Sequence, residues 1–367
     1  MIRCLIIKTS SLGDIVHTLP ALTDAVNAIG NIQFDWVVEE NFQEIPSWHP
    51  AVNKVIPIAL RRWRKTFFKS LFNKSLVREW KQFHQQVQKQ NYDYIIDAQG
   101  LLKSALITRL VNGKTFGLDK NSAREPIASR FYQSPISIAK NQHAVERIRQ
   151  LFAKVFDYKL LDNFDYGIID TFKIQRQGID TDKNNLQIIV NEQIFFFHGT
   201  TWETKHWPEI YWLQLANQLT QGKYQILLPW GNISEKQRAE RIKEKSDQPE
   251  KITILEKMTL KEIAQKLSQV KAVVAVDTGL AHLAAALDKP LISLFGPTNP
   301  VLTRPYAANK NTQLPMQVDY PCKACMKKQC SKVEQIDSNN SIQPACYSSL
   351  SPRIVSKKIN QLIDKTI

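Results

Sequence analysis

The loop after the first predicted strand carries a carboxylate where it could do chemistry. The apolar run Cys4–Ile7 reads CLII and is followed by KTSSLGDIVHTLPAL, which places Asp14 at the start of a helix. The loop has neither the GxGxxG nor the Walker A pattern, so the two commonest phosphate-binding loops are excluded. Asp14 either caps the helix and complements its dipole or acts as a general base at a strand end. Both interpretations stay open.

A second set of polar residues follows a predicted strand in the other half of the chain. The run Ile194–His198 leads into GTTWETKHWPE, where Thr200 and Thr201 offer hydroxyl groups and Lys205 offers a cation. Such donors at the end of a strand are the groups that bind a diphosphate. The same residues also suit an ordinary polar loop, so this stretch alone favours neither interpretation.

A third candidate is DTGLAHLAAAL, which follows the predicted strand Ala272–Val276. Gly279 permits a tight turn, and the helix after it presents N–H groups to an anion, so Thr278 and Gly279 are predicted to hold a phosphate. Asp277 would repel a diphosphate and is predicted to accept hydrogen bonds from ligand hydroxyls. His282 lies one turn into the helix, where it is either structural or stabilises the charge of a leaving group.

The overall charge points to an anionic partner. Of 367 residues, 49 are Lys or Arg and 34 are Asp or Glu, which gives a formal net charge of +15. This favours nucleic acid, acidic lipid or a phosphorylated substrate. No apolar stretch approaches the roughly 18 residues of a membrane-spanning helix, and the N-terminal apolar run is too short for a signal peptide. We therefore expect a cytoplasmic protein.

One basic segment concentrates this charge. Between Arg61 and Lys89 there are nine Lys or Arg and one acid, Glu79. They are interleaved with Trp63, Phe67, Phe68, Leu71 and Phe72. The pattern indicates either a solvated basic helix face or a contact with an anionic membrane surface, where each cation contributes about 1 kcal/mol. Nucleic acid could use the same charges, but no nucleic-acid-binding motif accompanies them.

Four of the five cysteines lie close together in the sequence. Their spacing is Cys322-x2-Cys325-x4-Cys330-x15-Cys346. The first pair has the spacing of zinc ligands, but the whole is not a standard zinc finger. Free thiols or facultative disulfides and a structural metal site are the alternatives, and neither is expected to take part in catalysis.

Predicted strands and helices alternate along both halves of the chain. The predicted strands are Cys4–Ile7, Phe34–Val38, Tyr94–Asp97, Ile194–His198, Gln225–Pro229, Ala272–Val276 and Leu291–Phe295. The predicted helices are Asp14–Ala28, Ser75–Lys89, Pro208–Thr220, Glu235–Lys245, Thr259–Gln269 and Gly279–Leu287. Alternation of this kind predicts parallel sheets with right-handed crossovers. The fold class is therefore α/β, with two doubly wound domains.

The expected domains are 1–179 and 186–350, joined by the polar linker 180–185. A C-terminal helix is expected over 351–367, with Ser351 as its cap and Pro352 in its first turn. One arrangement packs this helix back on the N-terminal domain. A ligand shared by two such domains should lie between them, beyond the carboxyl ends of the strands.

Taken together, the motifs resemble glycosyltransferase family 9. The blocks that carry the resemblance are KTSSLGDIVHTLPAL, FDWVVEENFQEIPSWHP, IPIALRRWRK, YDYIIDAQGLLKSAL, AREPIAS, HAVER, KHWPE, LPWG and DTGLAHLAAALDKPLISLFGPTNP. They run in family order over about residues 1–300. RRWRK and AREP resemble the heptosyltransferase I branch in particular, whereas the cysteine cluster looks more like the C-terminal regions of other family members.

The resemblance implies a GT-B fold, in which two Rossmann-like domains face each other across a cleft. It also implies inverting, metal-independent transfer of L-glycero-D-manno-heptose from ADP-heptose to the first Kdo of Kdo-lipid A, in lipopolysaccharide inner-core synthesis. ADP-heptose would be a co-substrate and no cofactor would be required. Such an enzyme would be peripheral on the cytoplasmic face of the inner membrane of a Gram-negative cell.

The resemblance assigns roles to individual residues. Asp14 would be the base. The donor would be bound by Thr200, Thr201 and Lys205 at its phosphates, by Glu235 at its ribose and by Met258 beside its adenine, and further by Asp277, Thr278, Gly279 and His282. The acceptor would be bound by Arg61, Arg64, Lys65 and Arg124.

Three other functions were weighed against this one. The nearest is another family 9 glycosyltransferase that adds a later core heptose. A remote one is a non-catalytic basic protein that binds nucleic acid. A nucleotide-dependent oxidoreductase is disfavoured because the glycine fingerprint is missing.

Overall fold

Each half of the chain folds around a six-stranded parallel sheet. The computed structural model describes residues 1–67, 74–172, 191–335 and 341–366. The chain divides into two units, Met1–Thr171 and Phe172–Ile367. The predicted linker 180–185 lies outside the described residues, as do Phe68, Leu71 and Phe72. Among the residues described, no helix combines the length and apolar character needed to cross a membrane.

The sheet of the first unit is built from short apolar runs. Its strands are β1 (Ile2–Ile7), β2 (Ile32–Glu39), β3 (Val52–Ile58), β4 (Tyr94–Asp97), β5 (Lys114–Leu118) and β6 (Ser134–Ile136). All pair in parallel, in the order β3-β2-β1-β4-β5-β6. The predicted strands in β1, β2 and β4 are confirmed. Residues Cys4–Ile7 of β1 are completely buried, as expected for the centre of a parallel sheet.

The helices of the first unit lie between these strands. They are α1 (Leu12–Val16), α2 (Leu19–Ile29), α3 (Leu60–Phe67), α4 (Lys74–Gln88), α5 (Leu102–Thr108) and α6 (Ala144–Phe156), followed by the short α7 (Ile169–Phe172). The single helix predicted over Asp14–Ala28 is therefore two. Pro20 lies in the first turn of α2, where it has no N–H to bond Val16, so the helix breaks before it.

The second unit repeats the strand order of the first. Its strands are β7 (Asn191–Phe197), β8 (Gln225–Leu228), β9 (Ile252–Ile254), β10 (Val270–Val276), β11 (Leu291–Phe295) and β12 (Gln313–Gln317). They pair in parallel as β12-β11-β10-β7-β8-β9. Counted along the chain, both sheets thus have the order 3-2-1-4-5-6 of doubly wound nucleotide-binding folds. The α/β, doubly wound fold class is confirmed.

The helices of the second unit are α8 (Glu209–Thr220), α9 (Ile233–Glu244), α10 (Leu260–Gln269), α11 (Gly279–Ala286), α12 (Pro300–Thr303) and α13 (Pro352–Thr366). Between α12 and α13 lies a two-stranded antiparallel hairpin, β13 (Glu334–Gln335) and β14 (Ser341–Ile342).

The C-terminal helix α13 begins at Pro352, as predicted. It packs against α8, β10 and β11. Val355, Ile359 and Ile363 of this helix are buried in the hydrophobic core of the second unit. These three side chains of α13 therefore belong to the core of the second unit.

Candidate active site

Asp14 is held at the beginning of α1. Its Oδ2 accepts hydrogen bonds from the backbone N–H of Ser11 at 2.8 Å and from the Ser11 hydroxyl at 2.9 Å. The side chain is neither fully buried nor fully exposed. These two donors and the helix N-terminus all stabilise the ionised carboxylate. Asp14 therefore caps the first turn of α1 and also places an ionised carboxylate near the end of β1. The capping and the base interpretations are thus compatible.

The loop of Asp14 is tied to the loop that follows β4. The Gln99 side-chain oxygen accepts hydrogen bonds from the backbone N–H groups of Thr9 and Ser10. The buried Lys8 donates from Nζ to the carbonyl of Ala98 at 2.8 Å. Burial lowers the pKa of Lys8, although the charge of Asp14 opposes that shift. Lys8 and Asp14 are thus near enough for their opposite charges to attract each other.

Arg61, Arg64 and Lys65 lie on the exposed side of α3. Their spacing of three and four residues places them on one side of the helix. Trp63 points inward and is only 8% exposed. The start of the helix is fixed by Glu39, whose Oε1 accepts the backbone N–H of Arg61 at 2.8 Å. The Glu39 N–H in turn bonds the carbonyl of Thr9 in the loop before Asp14. The beginning of α3 is therefore linked to that loop.

Arg124 reaches the same edge of the first sheet from another loop. It is exposed and lies in the loop after β5. A Cβ added at Gly100 would stand 3.7 Å from the backbone nitrogen of Arg124, so this loop runs close to the loop after β4. The neighbouring Glu125 accepts a hydrogen bond from the N–H of Leu102 at 2.7 Å. The charge of Arg124 also lowers the pKa of Lys8. The structure thus brings all four predicted acceptor-binding cations to the carboxyl ends of the strands, on the side of Asp14.

In the second unit, the centre of the candidate site is an ion pair. Lys205 Nζ lies 2.7 Å from Asp277 Oδ2. The same oxygen accepts the hydroxyl of Thr298 at 2.7 Å, and the hydroxyl of Thr200 bonds the Asp277 carbonyl at 3.0 Å. The repulsion between Asp277 and a bound phosphate, which the sequence raised as a difficulty, is therefore offset by a lysine at contact distance.

The loop between β7 and α8 positions that lysine. Lys205 Nζ lies 4.7 Å above the ring of Trp202, and the hydroxyl of Tyr347 donates to the Lys205 carbonyl at 3.0 Å. Thr201 of this loop is exposed. The ammonium group of Lys205 and the hydroxyl of Thr200 are thus both held at Asp277, where they could donate to a phosphate.

Thr278 and Gly279 begin helix α11. Thr278 is the N-cap in an extended conformation, and α11 starts at Gly279. The first N–H groups of a helix have no partner within it and attract anions. His282 lies one turn further on and is buried. The predicted turn is therefore present, directly after the Asp277 that pairs with Lys205.

Glu235 reaches the same edge from the first turn of α9, which follows β8. Its Oε2 accepts the N–H of Gly231 at 2.7 Å, and its own N–H bonds Asn232 Oδ1 at 3.0 Å. A Cβ at Gly199 would stand only 2.4 Å from the Glu235 carboxyl carbon. Gly199 therefore makes the space in which this carboxylate lies against the β7 loop. Met258 is half-buried in the loop after β9.

Comparison with known proteins agrees with this geometry. The model of glycosyltransferase family 9 (heptosyltransferase) matches residues 80–335. The chain belongs to glycosyltransferase family 9. Lipopolysaccharide heptosyltransferase 1 of Pseudomonas aeruginosa is 47% identical over 369 residues, which cover 98% of each chain. The Escherichia coli K12 protein of the same name is 49% identical over 310 residues, covering 84% of this chain and 92% of that protein.

Solved structures of family 9 extend the likeness to the fold. E. coli heptosyltransferase WaaC with ADP has a TM-score of 0.81 and 42% identity, covering 98% of this chain and all of WaaC. WaaC with ADP-2-deoxy-2-fluoro heptose has a TM-score of 0.79 at the same identity. The GT-B fold implied by the sequence resemblance is thereby confirmed, and the chain is a glycosyltransferase of the heptosyltransferase type.

The cysteine cluster lies beside the candidate donor site of this family 9 chain. Cys322, Cys325, Cys330 and Cys346 all have free thiols, and all four line one small cavity. Within the part of the chain that the structure describes, no three His, Cys, Asp or Glu side chains already stand together as a metal centre. The structure thus gathers the four cysteines that the sequence grouped.

Sequence reasoning missed several residues that build the site. Lys8 supports Asp14, Gly199 makes room for Glu235, Thr298 bonds Asp277, and Tyr347 holds the Lys205 loop. A signal existed for two of them. Lys8 directly follows the first buried strand, and Gly199 directly precedes the Thr-Thr pair. Thr298 and Tyr347 act from about 20 and 140 residues away, which no local pattern reveals.

Proposed function

We propose that this family 9 enzyme transfers L-glycero-D-manno-heptose from ADP-heptose to the first Kdo of Kdo-lipid A, with inversion at the anomeric carbon. The observation that carries the proposal is a group of hydrogen-bond donors suited to binding phosphate at the carboxyl edge of the second sheet. They are centred on Lys205 and the start of α11. The relatives from P. aeruginosa and E. coli, which are named lipopolysaccharide heptosyltransferase 1, support the same reaction.

The donor would bind to the second unit. Lys205, Thr200 and Thr201 would hold the diphosphate with the N-terminus of α11, and these donors would stabilise the charge that gathers on ADP as the sugar leaves. Glu235 would accept hydrogen bonds from the ribose, and Met258 would lie beside the adenine. Because an ammonium group and backbone N–H groups supply the positive charge, we propose that the transfer needs no metal ion. His282 would support the leaving group from within α11.

Asp14 would remove the proton from the acceptor hydroxyl as that oxygen attacks the anomeric carbon. Two donors from Ser11 hold the carboxylate ionised, which a base requires. The same stabilisation makes Asp14 a weak base, so proton transfer would come late in the displacement. The acceptor carries phosphates and carboxylates, which suit the guanidinium groups of Arg61, Arg64 and Arg124 and the ammonium group of Lys65.

The same basic surface would bring the enzyme to the inner membrane. Trp63, Trp80 and Phe83 form an aromatic cluster with ring centroids 5.8–6.2 Å apart. Trp80 and Val77 of α4 are exposed, by 41% and 66%. Apolar groups among cations are typical of a peripheral membrane contact.

We expect Trp80→Ala to reduce sedimentation with anionic vesicles severalfold without lowering transfer to a short-chain, micellar acceptor. Equal sedimentation of both proteins would contradict the membrane role.

The decisive experiment is mass spectrometry of the purified enzyme incubated with ADP-heptose and Kdo-lipid A. The expected product is heptosyl-Kdo-lipid A. If product forms only when the acceptor already carries one heptose, the enzyme adds a later core heptose instead. If nothing forms with either acceptor, the proposal fails.

The role of Asp14 is tested by substitution. Asp14→Asn keeps the shape and the Ser11 contacts in part but removes the base, and we expect transfer to fall by roughly 10²–10⁴-fold. ADP affinity, measured by calorimetry, should stay near wild type, because Asp14 belongs to the first unit. Transfer at a near wild-type rate would remove Asp14 from the role of base.

A further inference from the structure

The segment that contains the cysteine cluster has little regular structure of its own. Beyond β12, the described residues up to α13 form only the two-residue strands β13 and β14 and one short 3₁₀ turn at Ala345–Ser349. Four of the five cysteines of the chain lie here. Loop-rich segments that cannot bury a large apolar core are commonly held together by disulfides or by a metal ion.

The four thiols surround one cavity. Cys322, Cys325, Cys330 and Cys346 line a space of about 20 Å³, roughly the room that a single small occupant needs. None of them is in a disulfide. Sequence positions that lie 24 residues apart thus meet at one point, while the fifth cysteine, Cys4, is buried in β1 of the other unit.

The cavity disfavours a bare thiolate at Cys346. Burial first, and then the charges of Cys322, Cys330 and Cys325, raise the pKa of Cys346 to about 12. The sulfurs are thus near enough to repel one another when ionised. A divalent cation between them would reverse this effect, because each thiolate would then face a positive charge.

We propose that Cys322, Cys325, Cys330 and Cys346 bind one thiophilic divalent metal ion, of which zinc is the best match. Four thiolates are the ligand set of a closed, structural zinc site, and the CxxC spacing of the first pair suits it. In this structure the four sulfurs line the cavity, but no three of them are close enough together to bind one metal ion. Ligation therefore has to draw them inward, which is how structural zinc sites couple binding to folding. The thiols would give up their protons on binding.

The site would also fix the loop that holds Lys205. Between the second and third cysteines, the carbonyl of Lys327 accepts the hydroxyl of Thr204 at 2.6 Å. Lys328 Nζ lies 5.4 Å from the ring of Trp202, the ring on which Lys205 also lies. A metal ion that clamps the cysteine segment therefore holds a second ammonium group beside the diphosphate-binding loop. This consequence, unlike the metal site itself, rests on the proposed function.

The metal site is tested on the full-length protein by elemental analysis after exhaustive dialysis. We expect about one zinc per chain in the wild type and in the control Cys4→Ala, and much less than one in Cys325→Ser and Cys346→Ser. Replacement by cobalt should give the visible absorption bands of tetrahedral thiolate coordination, which disappear in Cys325→Ser. Stoichiometric iron in place of zinc would correct the identity of the metal while supporting the site.

Two results would overturn the proposal. One is a metal-poor wild type in which four thiols of the native protein react with a thiol reagent. The other is a disulfide among the four cysteines in protein purified under reducing conditions. Circular dichroism of Cys325→Ser, whose side chain is exposed, establishes whether a loss of metal reflects a lost ligand or a lost fold. If that variant is unfolded, cobalt absorption of the wild type decides the matter.

The link to the donor site has its own readout. We expect removal of the metal, or Cys325→Ser, to weaken ADP affinity up to about fivefold, with little change in the transfer rate at saturating ADP-heptose. Normal ADP affinity without metal would refute the link and leave the metal site intact. Conversely, a wild type that binds zinc but transfers no heptose would refute the proposed function and not the site.

Discussion

The two sheets place an aspartate at the same topological position and use it differently. In both units the fourth strand leads into an aspartate, a glycine-containing turn and a helix: Asp97 before α5, and Asp277 before α11. Asp97 is completely buried, and its oxygens accept hydrogen bonds from Tyr132, Ser104 and two backbone N–H groups. Asp277 is instead paired with the ammonium group of Lys205.

The two aspartates differ in whether a ligand could compete for the groups that bind them. The donors around Asp97 are neutral groups fixed within the first unit, so the carboxylate holds the turn in one conformation. The partner of Asp277 is a single cation on a loop, and a phosphate could share its charge while the turn keeps its conformation. Under the proposed function, the same strand–turn–helix element is therefore a structural support in one unit and a ligand site in the other, and the nature of the partner distinguishes them.

The largest effect is expected from removing the cation. Lys205→Met keeps the stem over Trp202 but loses the charge, and we expect kcat/KM for ADP-heptose to fall by roughly 10²–10³-fold. The side chains of Lys205 and Asp277 are only 16% and 9% exposed, so the melting temperature should also fall, because Asp277 keeps a buried charge without its counter-ion. Steady-state kinetics with thermal unfolding measures both. Unchanged kinetics would remove Lys205 from the donor site.

A double-mutant cycle sharpens this result. If Asp277 acts by positioning Lys205, then Asp277→Asn should cost much less in the Lys205→Met background than in the wild type. Fully additive losses would mean that Asp277 contacts the substrate independently of the lysine.

At Asp97 we expect a substitution to lower the stability of the protein and to leave its kinetics nearly unchanged. Asp97→Asn places an amide opposite the donors of Tyr132 and Ser104, and we expect the free energy of unfolding to fall by about 1–3 kcal/mol. In the protein that remains folded, kcat and KM should stay near wild type. Denaturant titration and kinetics would decide this. A variant of full stability with low activity would erase the contrast between the two aspartates.

The Asp97 contribution should also depend on pH. Burial raises the pKa of Asp97 above its ordinary value of 3.8, although its hydrogen bonds oppose the shift. The folded state therefore holds the proton more tightly than the unfolded state. It follows that the stability advantage of the wild type over Asp97→Asn is fully present below pH 3.8 and shrinks as the pH rises through the pKa of the folded state.

Sequence reasoning located most inner strands of the two sheets, but it missed the inner strand β5 and the edge strands. β1, β4, β10 and β11 are short runs of buried β-branched or aromatic residues, which periodicity detects. The edge strands β3 and β12 each contain a proline and several polar residues, and β6 is only three residues long. Their position is set by pairing with a neighbouring strand rather than by their own composition.

The candidate site was predictable where its residues directly follow a strand. Asp14, Thr200 and Asp277 come from such loops. What the sequence does not contain is the partner of each group, because Lys205 and Asp277 are 72 positions apart and meet only when the parallel strands align. Asp97 and Asp277 also look alike in the sequence, because each comes at the end of a buried strand. Only their partners in the fold distinguish their roles.

The smallest effect tests whether the space for Glu235 matters for the donor. In Gly199→Ala the added methyl group would stand 2.4 Å from the Glu235 carboxyl carbon, and the flexible side chain would move away and lose its bond to the Gly231 N–H. Losing one charged hydrogen bond predicts an increase of about tenfold in the KM for ADP-heptose, with kcat and stability nearly unchanged. Gly222→Ala is the matched control, because its nearest neighbour is 3.4 Å away and it precedes β8, whereas Gly231 and Glu235 follow that strand. Equal KM values for the two variants would contradict a role for Glu235 in donor binding, whereas a loss of stability in Gly199→Ala alone would place Gly199 with the structural residues around Asp97.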